Sequence, residues 1–335
     1  MRKLTALAGL LAFGVAAPAL GQGGPSFDCA KASNAIERAV CKSPELAKED
    51  REMNAVYSTL VAKLTGPAKD HLAKDQVGWV VNRNRVCAAD ADKIVDCLKL
   101  RYSARLRNLR AFADGPYPFI SEHAVYKAGK VGKITYSIDT RYPQFDGQAA
   151  DKGTANFAAV NRAFADDAKK SDEEGTPKPD SGADSDQTWS YEQAFAVYRP
   201  SARAVTISLD FYGYSGGAHG FGGTACMLVD LRTGKAVEPA GVFTPGDAWL
   251  KSMVELVTAD LKKQFVKNPG FDDALEPAAM AKTLKDASHY RWRSDRLELI
   301  FNAYDVGPYS AGAYQVVIPY SRLTALFRAD GPLGR

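Results

Sequence analysis

The residues best equipped for chemistry crowd into one run, Asp210 to His219, which includes Tyr212-Gly213-Tyr214-Ser215-Gly216-Gly217-Ala218. Asp210, Ser215 and His219 are the types that form a hydrolytic triad. No Gly-x-Ser-x-Gly elbow frames Ser215, and the three would crowd one strand end. His219 has three readings: metal ligand, general base, or a histidine hydrogen-bonded to the returning strand. A zinc site needs clustered ligands, and His219 stands alone in its stretch, so the third reading is the expectation. His123 and His289 lie far from it in sequence. No carboxylate pair for glycoside hydrolysis can be singled out among so many acids. No catalytic residue, metal ligand or cofactor is therefore assigned.

Binding is the better use of these residues. Gly216 and Gly217 allow a positive φ and close backbone approach, as a turn between strands requires. A second glycine-rich segment, Pro308-Tyr309-Ser310-Ala311-Gly312, reads as a bend between the last two strands. Tyr309 is either exposed for recognition, where tyrosine supplies large contact area at low entropy cost, or packed under the Gly216 turn. The candidate binding residues are Tyr214, Gly216, Gly217, His219, Tyr309 and Ser310.

The five cysteines stand at 29, 41, 87, 97 and 226. Four within about 70 residues predict two disulfides in an exported chain. Of three pairings, Cys87–Cys97 closes a short loop between two helical segments, and Cys29–Cys41 follows by elimination. Cys226 sits in an apolar strand pattern, Thr224 to Leu231, and reads as a buried free thiol.

Export is predicted by the N-terminus. Arg2 and Lys3 precede an uncharged run from Leu4 to Leu20, and Ala19-Leu20-Gly21 places small residues before a cut at Gln22. The run is shorter than a spanning helix prefers, so residues 1–21 are expected to be a cleaved signal peptide with no membrane span afterwards. The protein is then periplasmic or secreted. A net charge of +4, two of it in the signal, is too weak to point to nucleic acid. Charge is uneven: residues 22–112 hold 16 Lys and Arg against 11 Asp and Glu, and residues 113–335 hold 25 against 28. The shift supports a domain boundary near Asp114-Gly115-Pro116.

Residues 22–113 read as helical. Ser33 and Ser43 are candidate N-caps, with Pro44 in a first turn. Leu46, Met53, Val56, Tyr57, Leu60 and Leu64 recur at helical spacing up to a break at Gly66-Pro67. Leu72, Trp79, Val80 and Val86 mark the next helix, and Leu98, Tyr102, Leu106 and Leu109 the last. Trp79, Arg83 and Cys87 share a face, and Arg83 is placed for a cation–π contact with Trp79. Beyond the boundary, Ile134–Ile138 and 204–211 alternate as strands. Phe157, Val160 and Phe164 suggest a short helix, and the acid-rich stretch 166–186 a mobile loop. A long helix is expected over 247–265, then strands over 296–303 and 313–319, and a final helix capped by Ser321 through Phe327. The fold class is α+β: a small disulfide-bonded all-α domain, then an α+β domain over 117–330 with mainly antiparallel strands.

Cys29, Glu37, Cys41, Pro44-Glu45-Leu46, Asp50, Tyr57, Trp79, Arg83, Cys87, Cys97-Leu98, Tyr102 and Arg105 together resemble the N-terminal domain of the LprI family, bacterial envelope proteins named for a lysozyme inhibitor. That resemblance covers about residues 27–110. Tyr142-Pro143-Gln144-Phe145, Asn161, Tyr212-Gly213-Tyr214, Gly216-Gly217-Ala218-His219, the run 304–312 and Ile318-Pro319-Tyr320 resemble the extracellular region of RsiV-type anti-sigma factors. The same region accompanies the catalytic domain of some peptidoglycan deacetylases. In the anti-sigma factor it implies a lysozyme receptor. Neither a sigma-binding segment nor a deacetylase domain is expected here, only the envelope-facing module.

Both resemblances imply a binding protein, not an enzyme, whose partner is lysozyme or an endogenous lytic enzyme. A peptidoglycan-associated structural module and a hydrolase centred on His219 are the alternatives.

Overall fold

A computed structural model describes residues 23–113, 118–148, 155–179, 181 and 186–334. The expected signal peptide and the Asp114-Gly115-Pro116 junction lie outside them. Among the described residues no helix is long and apolar enough to cross a membrane.

Four helices come first: α1 (Ala35–Lys42), α2 (Pro44–Lys63), α3 (Gly66–Cys87) and α4 (Ile94–Ala113). Ser43 caps α2 through the Leu46 amide, with Pro44 at the first position. The cap of α1 is Asn34 rather than Ser33: Asn34 Oδ1 accepts the Glu37 amide at 2.9 Å. Ser33 instead donates its amide and hydroxyl to Glu37, at 2.6 and 3.1 Å, closing a reciprocal box one residue later than expected. Cys29–Cys41 and Cys87–Cys97 are the disulfides, spanning 12 and 10 residues. Each constrains the unfolded chain, which stabilises the fold by about 2–4 kcal/mol. The Arg83 guanidinium lies 4.9 Å from the Trp79 ring centre, as the shared face predicted.

A six-stranded sheet follows in the order β1 (Pro118–Val131), β2 (Ile134–Gln148), β3 (Gln187–Ser201), β4 (Ala204–Tyr214), β5 (Phe221–Asp230) and β6 (Lys235–Ala236). Every pairing is antiparallel except β2 with β3. A parallel pair needs a crossover, and α5 (Ala158–Gly175) lies in it. This corrects the expected acidic loop at 166–186, because the helix runs on to Gly175. Val160, Phe164, Ala168 and Ser171 supply a buried stripe, and Lys169–Glu173 and Lys170–Glu174 are i,i+4 pairs on the outer side. Composition argued for a loop; spacing makes a helix.

After the short α6 (Pro239–Val242) comes α7 (Ala248–Phe265), then α8 (Pro277–Thr283) and a three-stranded antiparallel sheet, β7 (Tyr290–Trp292), β8 (Arg296–Phe301) and β9 (Tyr314–Pro319). The expected helix after Ser321 is instead two single 3₁₀ turns, Tyr320–Arg322 and Thr324–Leu326. The arrangement is α+β, with mostly antiparallel strands.

The cores do not divide at the helix-to-strand junction. One continuous cluster joins Leu46, Trp79, Tyr102 and Leu109 of the helices to Ile120, Phe195, Ile207 and Val229 of the large sheet. Strand alternation explains the partition. Val205, Ile207 and Val229 face that cluster, while Ala204 and Leu228 face a second one built with Trp249, Met253, Trp292 and Phe301.

Buried polar contacts tie the helices to the sheet as well. Arg101 pairs with Asp139 and Arg105 with Asp75, all nearly inaccessible to solvent. The other oxygen of Asp75 accepts the Glu122 amide of β1 at 2.7 Å. Asn108 exchanges hydrogen bonds with the Phe195 carbonyl and the Val197 amide of β3.

Candidate functional site

The turn between β4 and β5 requires its glycines. Gly216 and Gly217 have φ of 87° and 93°, a region that side chains with a Cβ rarely adopt. A Cβ on Gly216 would also approach Gln187 Oε1 to 2.9 Å. The turn therefore rests on the start of β3, where Trp189 Nε1 donates to Gln187 Oε1. Tyr214 closes the loop from inside, its hydroxyl donating to the Gly217 carbonyl at 3.0 Å. His219 places Nδ1 2.8 Å from the carbonyl of Gly220, which leads into the returning strand. Just beyond, Phe221 lies over Gly213, where any Cβ would overlap its ring. Tyr212 and Phe221 are each half exposed.

The segment between β8 and β9 is brought alongside by one side chain. Asn302 Oδ1 accepts the Thr224 amide at 2.8 Å, and Asn302 Nδ2 donates to the Thr224 carbonyl at 3.0 Å. That pair of hydrogen bonds to the middle of β5 fixes where the segment starts. Asp305 accepts the Asn302 amide, and the Tyr304 amide donates to the Gly307 carbonyl. Tyr304 itself has φ 77°, a conformation that costs a non-glycine residue about 1–3 kcal/mol. From the other side, Asn268 donates to the Ala311 carbonyl at 2.9 Å and accepts the Tyr314 hydroxyl at its own carbonyl.

The two segments meet ring to ring. His219 and Tyr309 stack with centres 3.8 Å apart and planes 17° from parallel. Tyr304, largely exposed, lies beside Tyr309 at 6.0 Å between ring centres. Tyr309 is thus half buried against His219 rather than under the Gly216 turn, and Ser310 next to it is exposed. Five of the six candidate residues share hydrogen bonds, a turn or a ring stack, and Ser310 shares the second segment. A cleft of about 240 Å³ adjoins the glycine turn, with Asp167 and Glu174 of α5 facing Tyr191, Tyr214 and Phe221. Burial raises the Asp167 carboxyl above the ordinary aspartate value, although Gln193 bonds to it.

The triad types do not assemble. Asp210 accepts from Thr224 Oγ1 at 2.7 Å and lies 3.6 Å from Arg291, and no hydrogen bond joins it to Ser215 or His219. Cys226 is buried, as expected, and burial pushes its thiol up to about 11, which leaves little thiolate at neutral pH. Among the described residues no group of three His, Cys, Asp or Glu could hold a metal ion. His289 is a buried support: its Nδ1 lies 2.8 Å from the Ile300 carbonyl and 3.8 Å from Asp305. Sequence reasoning missed Gln187, Trp189, Asn268 and Asn302, which hold the two segments. Tyr304 had a visible signal, as the aromatic that opens the run 304–312.

Three family models match successive stretches of the chain. "Lysozyme inhibitor LprI" matches residues 29–109, "Deacetylase PdaC" residues 130–222, and "Protein of unknown function (DUF3298)" residues 240–321. The first agrees with the LprI resemblance, and the second with the deacetylase-associated part of the other; the anti-sigma label rests on sequence motifs alone. Among curated proteins, the chain is 24% identical over 195 residues to the peptidoglycan-N-acetylmuramic acid deacetylase PdaC of Bacillus subtilis (strain 168). The match covers 58% of this chain and 39% of that protein, so well under half of the relative is spanned. A crystal structure of a DUF3298 family protein from Pseudomonas aeruginosa PAO1 superposes with a TM-score of 0.45 at 19% identity, over 65% of this chain and 96% of that one. One from Bacteroides fragilis NCTC 9343 gives 0.42 at 16% identity, over 65% and 97%.

Proposed function

We propose that this is an exported binding protein of the bacterial envelope whose partner is a muramidase, either lysozyme or an endogenous lytic enzyme. The observation that carries the reading is the lysozyme-inhibitor match over residues 29–109. The geometry agrees with it in kind. Two rigidly held segments present Tyr212, Tyr304, Tyr309, Ser310 and Phe221 around a histidine–tyrosine stack, a surface suited to recognition, and no nucleophile–base pair accompanies it. Carboxylates of α5 border this surface, and residues 113–335 carry 28 acids against 25 bases, which steers a basic partner more than it tightens the complex.

The test is biolayer interferometry of the full mature chain against chicken-type lysozyme at physiological salt, with inhibition of muramidase activity read in parallel. Tyr309→Ala is expected to weaken binding about tenfold with little change in unfolding temperature, as for an aromatic at the edge of an interface. Absence of binding by the wild-type chain would sink the reading; affinity unchanged in both Tyr309→Ala and Gly216→Ala would move the contact away from the paired segments and onto residues 29–109.

The deacetylase match, which includes the glycine turn, supports a second reading, association with peptidoglycan itself. Full recovery of the chain in the supernatant of a peptidoglycan pull-down would count against that one.

A further inference from the structure

The cleft beside the glycine turn has a wall of rings on one side and a rim of acids on the other. Strand register builds the wall. Tyr191 lies opposite Gly213, Gly213 opposite Phe221, and Gln193 opposite Phe211. Alternation puts Tyr191, Gln193, Leu209, Phe211 and Phe221 on one sheet face, the face that α5 covers. Gly213 has no side chain, so the Phe221 ring lies over its backbone and stays half exposed, 6.5 Å from the Tyr191 ring. Across from the rings, Asp167, Lys170, Ser171 and Glu174 share one face of α5 by their helical spacing.

The polar groups of this lining differ in what they have left to offer. Ser171 donates to the Tyr191 hydroxyl at 3.1 Å, and that hydroxyl donates to Gln193 Oε1 at 3.1 Å. Gln193 in turn bonds to Asp167. The sheet wall thus spends its donors internally, and carboxylate oxygens remain. Among the described residues Asp167 forms no ion pair, and Glu174 has only Lys170, at 3.7 Å with both side chains largely exposed. Such a surface pair is weak. Two carboxylates against one ammonium leave the lining net negative. Burial already raises the Asp167 carboxyl, a cost that a neighbouring cation would offset. Acceptor oxygens beside open ring faces ask for a cation, and a planar guanidinium stacks on rings and forks to carboxylates where a compact ammonium does not. Volume decides the size. At about 240 Å³ the cleft is smaller than pockets for whole small ligands, which run to roughly 300–1,000 Å³, so it suits one long side chain.

We propose that this cleft is a socket for an arginine side chain projecting from a basic protein partner. The Tyr191 and Phe221 rings pack against the guanidinium and its stem, and the Asp167 and Glu174 carboxylates accept its N–H groups. The inference rests on the binding-protein reading and adds the chemistry of one contact to it.

The test is an amide NMR titration of the full mature chain with two probes. N-acetylarginine amide carries the guanidinium; N-acetylcitrulline amide has nearly the same shape without the charge. The arginine probe is expected to shift the Tyr191, Gly213 and Phe221 amides and to bind about tenfold more tightly than the citrulline probe. Phe221→Leu, which keeps apolar bulk but removes the ring face, and Asp167→Asn, at an exposed position, are each expected to weaken the arginine probe about fivefold. Glu173→Gln loses the same charge on the outer side of α5 and is expected to leave it unchanged. Should Phe221→Leu fold poorly, Asp167→Asn carries the test. No shift at these amides, equal affinity for the two probes, or equal effects of Asp167→Asn and Glu173→Gln would overturn the proposal. The titration contains no muramidase, so a negative result leaves lysozyme binding standing, and a chain that ignores lysozyme can still fill its socket with the probe.

Discussion

The helix–sheet junction and the paired segments at the glycine turn are both built from polar contacts, but of different kinds. At the junction, side-chain charges are buried against each other: Arg105 with Asp75 and Arg101 with Asp139. At the paired segments, side-chain amides and hydroxyls hold main chain, as Asn302 does to Thr224 and Asn268 to Ala311. In the first arrangement Asp75 spends both carboxylate oxygens in holding the helices to the sheet. The second leaves aromatic rings and a hydroxyl facing outward, because backbone bonds do the holding. Recognition residues are therefore better sought at the glycine turn, and stability residues at the junction.

Three substitutions would break or sharpen this contrast. The largest effect is expected from Arg105→Ala, which strands the Asp75 carboxylate in the interior. Removing one partner of a buried pair costs about 3–5 kcal/mol, read as a fall in unfolding free energy by denaturant titration. A loss below about 1 kcal/mol would mean that water reaches the junction and that the contrast is false. Asn302→Ala comes next. It leaves the Thr224 amide and carbonyl without their partner, a loss of about 1–3 kcal/mol. If the segments act as described, lysozyme binding falls with it by more than stability alone explains, since Tyr309 loses its placement against His219.

The smallest effect concerns Cys226, buried beside Ser208 on the sheet face turned away from the helical cluster. Its thiol titrates at about 11 in the folded protein, against an ordinary value of 9.0. The unfolded chain thus gives up its proton first. The associated stability is complete below pH 9 and is lost as pH rises from 9 to 11. Unfolding free energy measured across that window should fall less steeply in Cys226→Ala than in the wild type. Equal slopes would place the thiol in contact with water.

The helical half was largely legible from sequence. Leu46, Met53 and Leu60, and Leu98, Tyr102, Leu106 and Leu109, announce buried faces by their spacing, and all are buried. Local loop closure picked the disulfide pairing for the same reason: short-range geometry is written in short-range sequence. The misreadings arose where two local signals competed. Asn34 took the capping role from Ser33, and i,i+4 pairing overrode acidic composition in α5. Strands β1 and β3 went unseen because their alternation is diluted by charged and small residues. The candidate segments were visible as glycine–aromatic runs, but their meeting was not. Asn302 and Thr224 lie 78 residues apart, and nothing in either neighbourhood specifies the other.

The core that runs from the helices into the large sheet also constrains the order of assembly. Both disulfides join residues 12 or fewer positions apart, so an emerging chain can close them as soon as Cys97 is available. The cluster around Trp79 has no such freedom. It includes Ile207 and Val229, more than 100 residues downstream of Cys97. A chain delivered N-terminus first therefore spends an interval cross-linked but incompletely folded, with apolar helix faces waiting for their strands. Truncation anywhere before β5 would make that interval permanent, and such fragments are expected to be aggregation-prone despite correct disulfides.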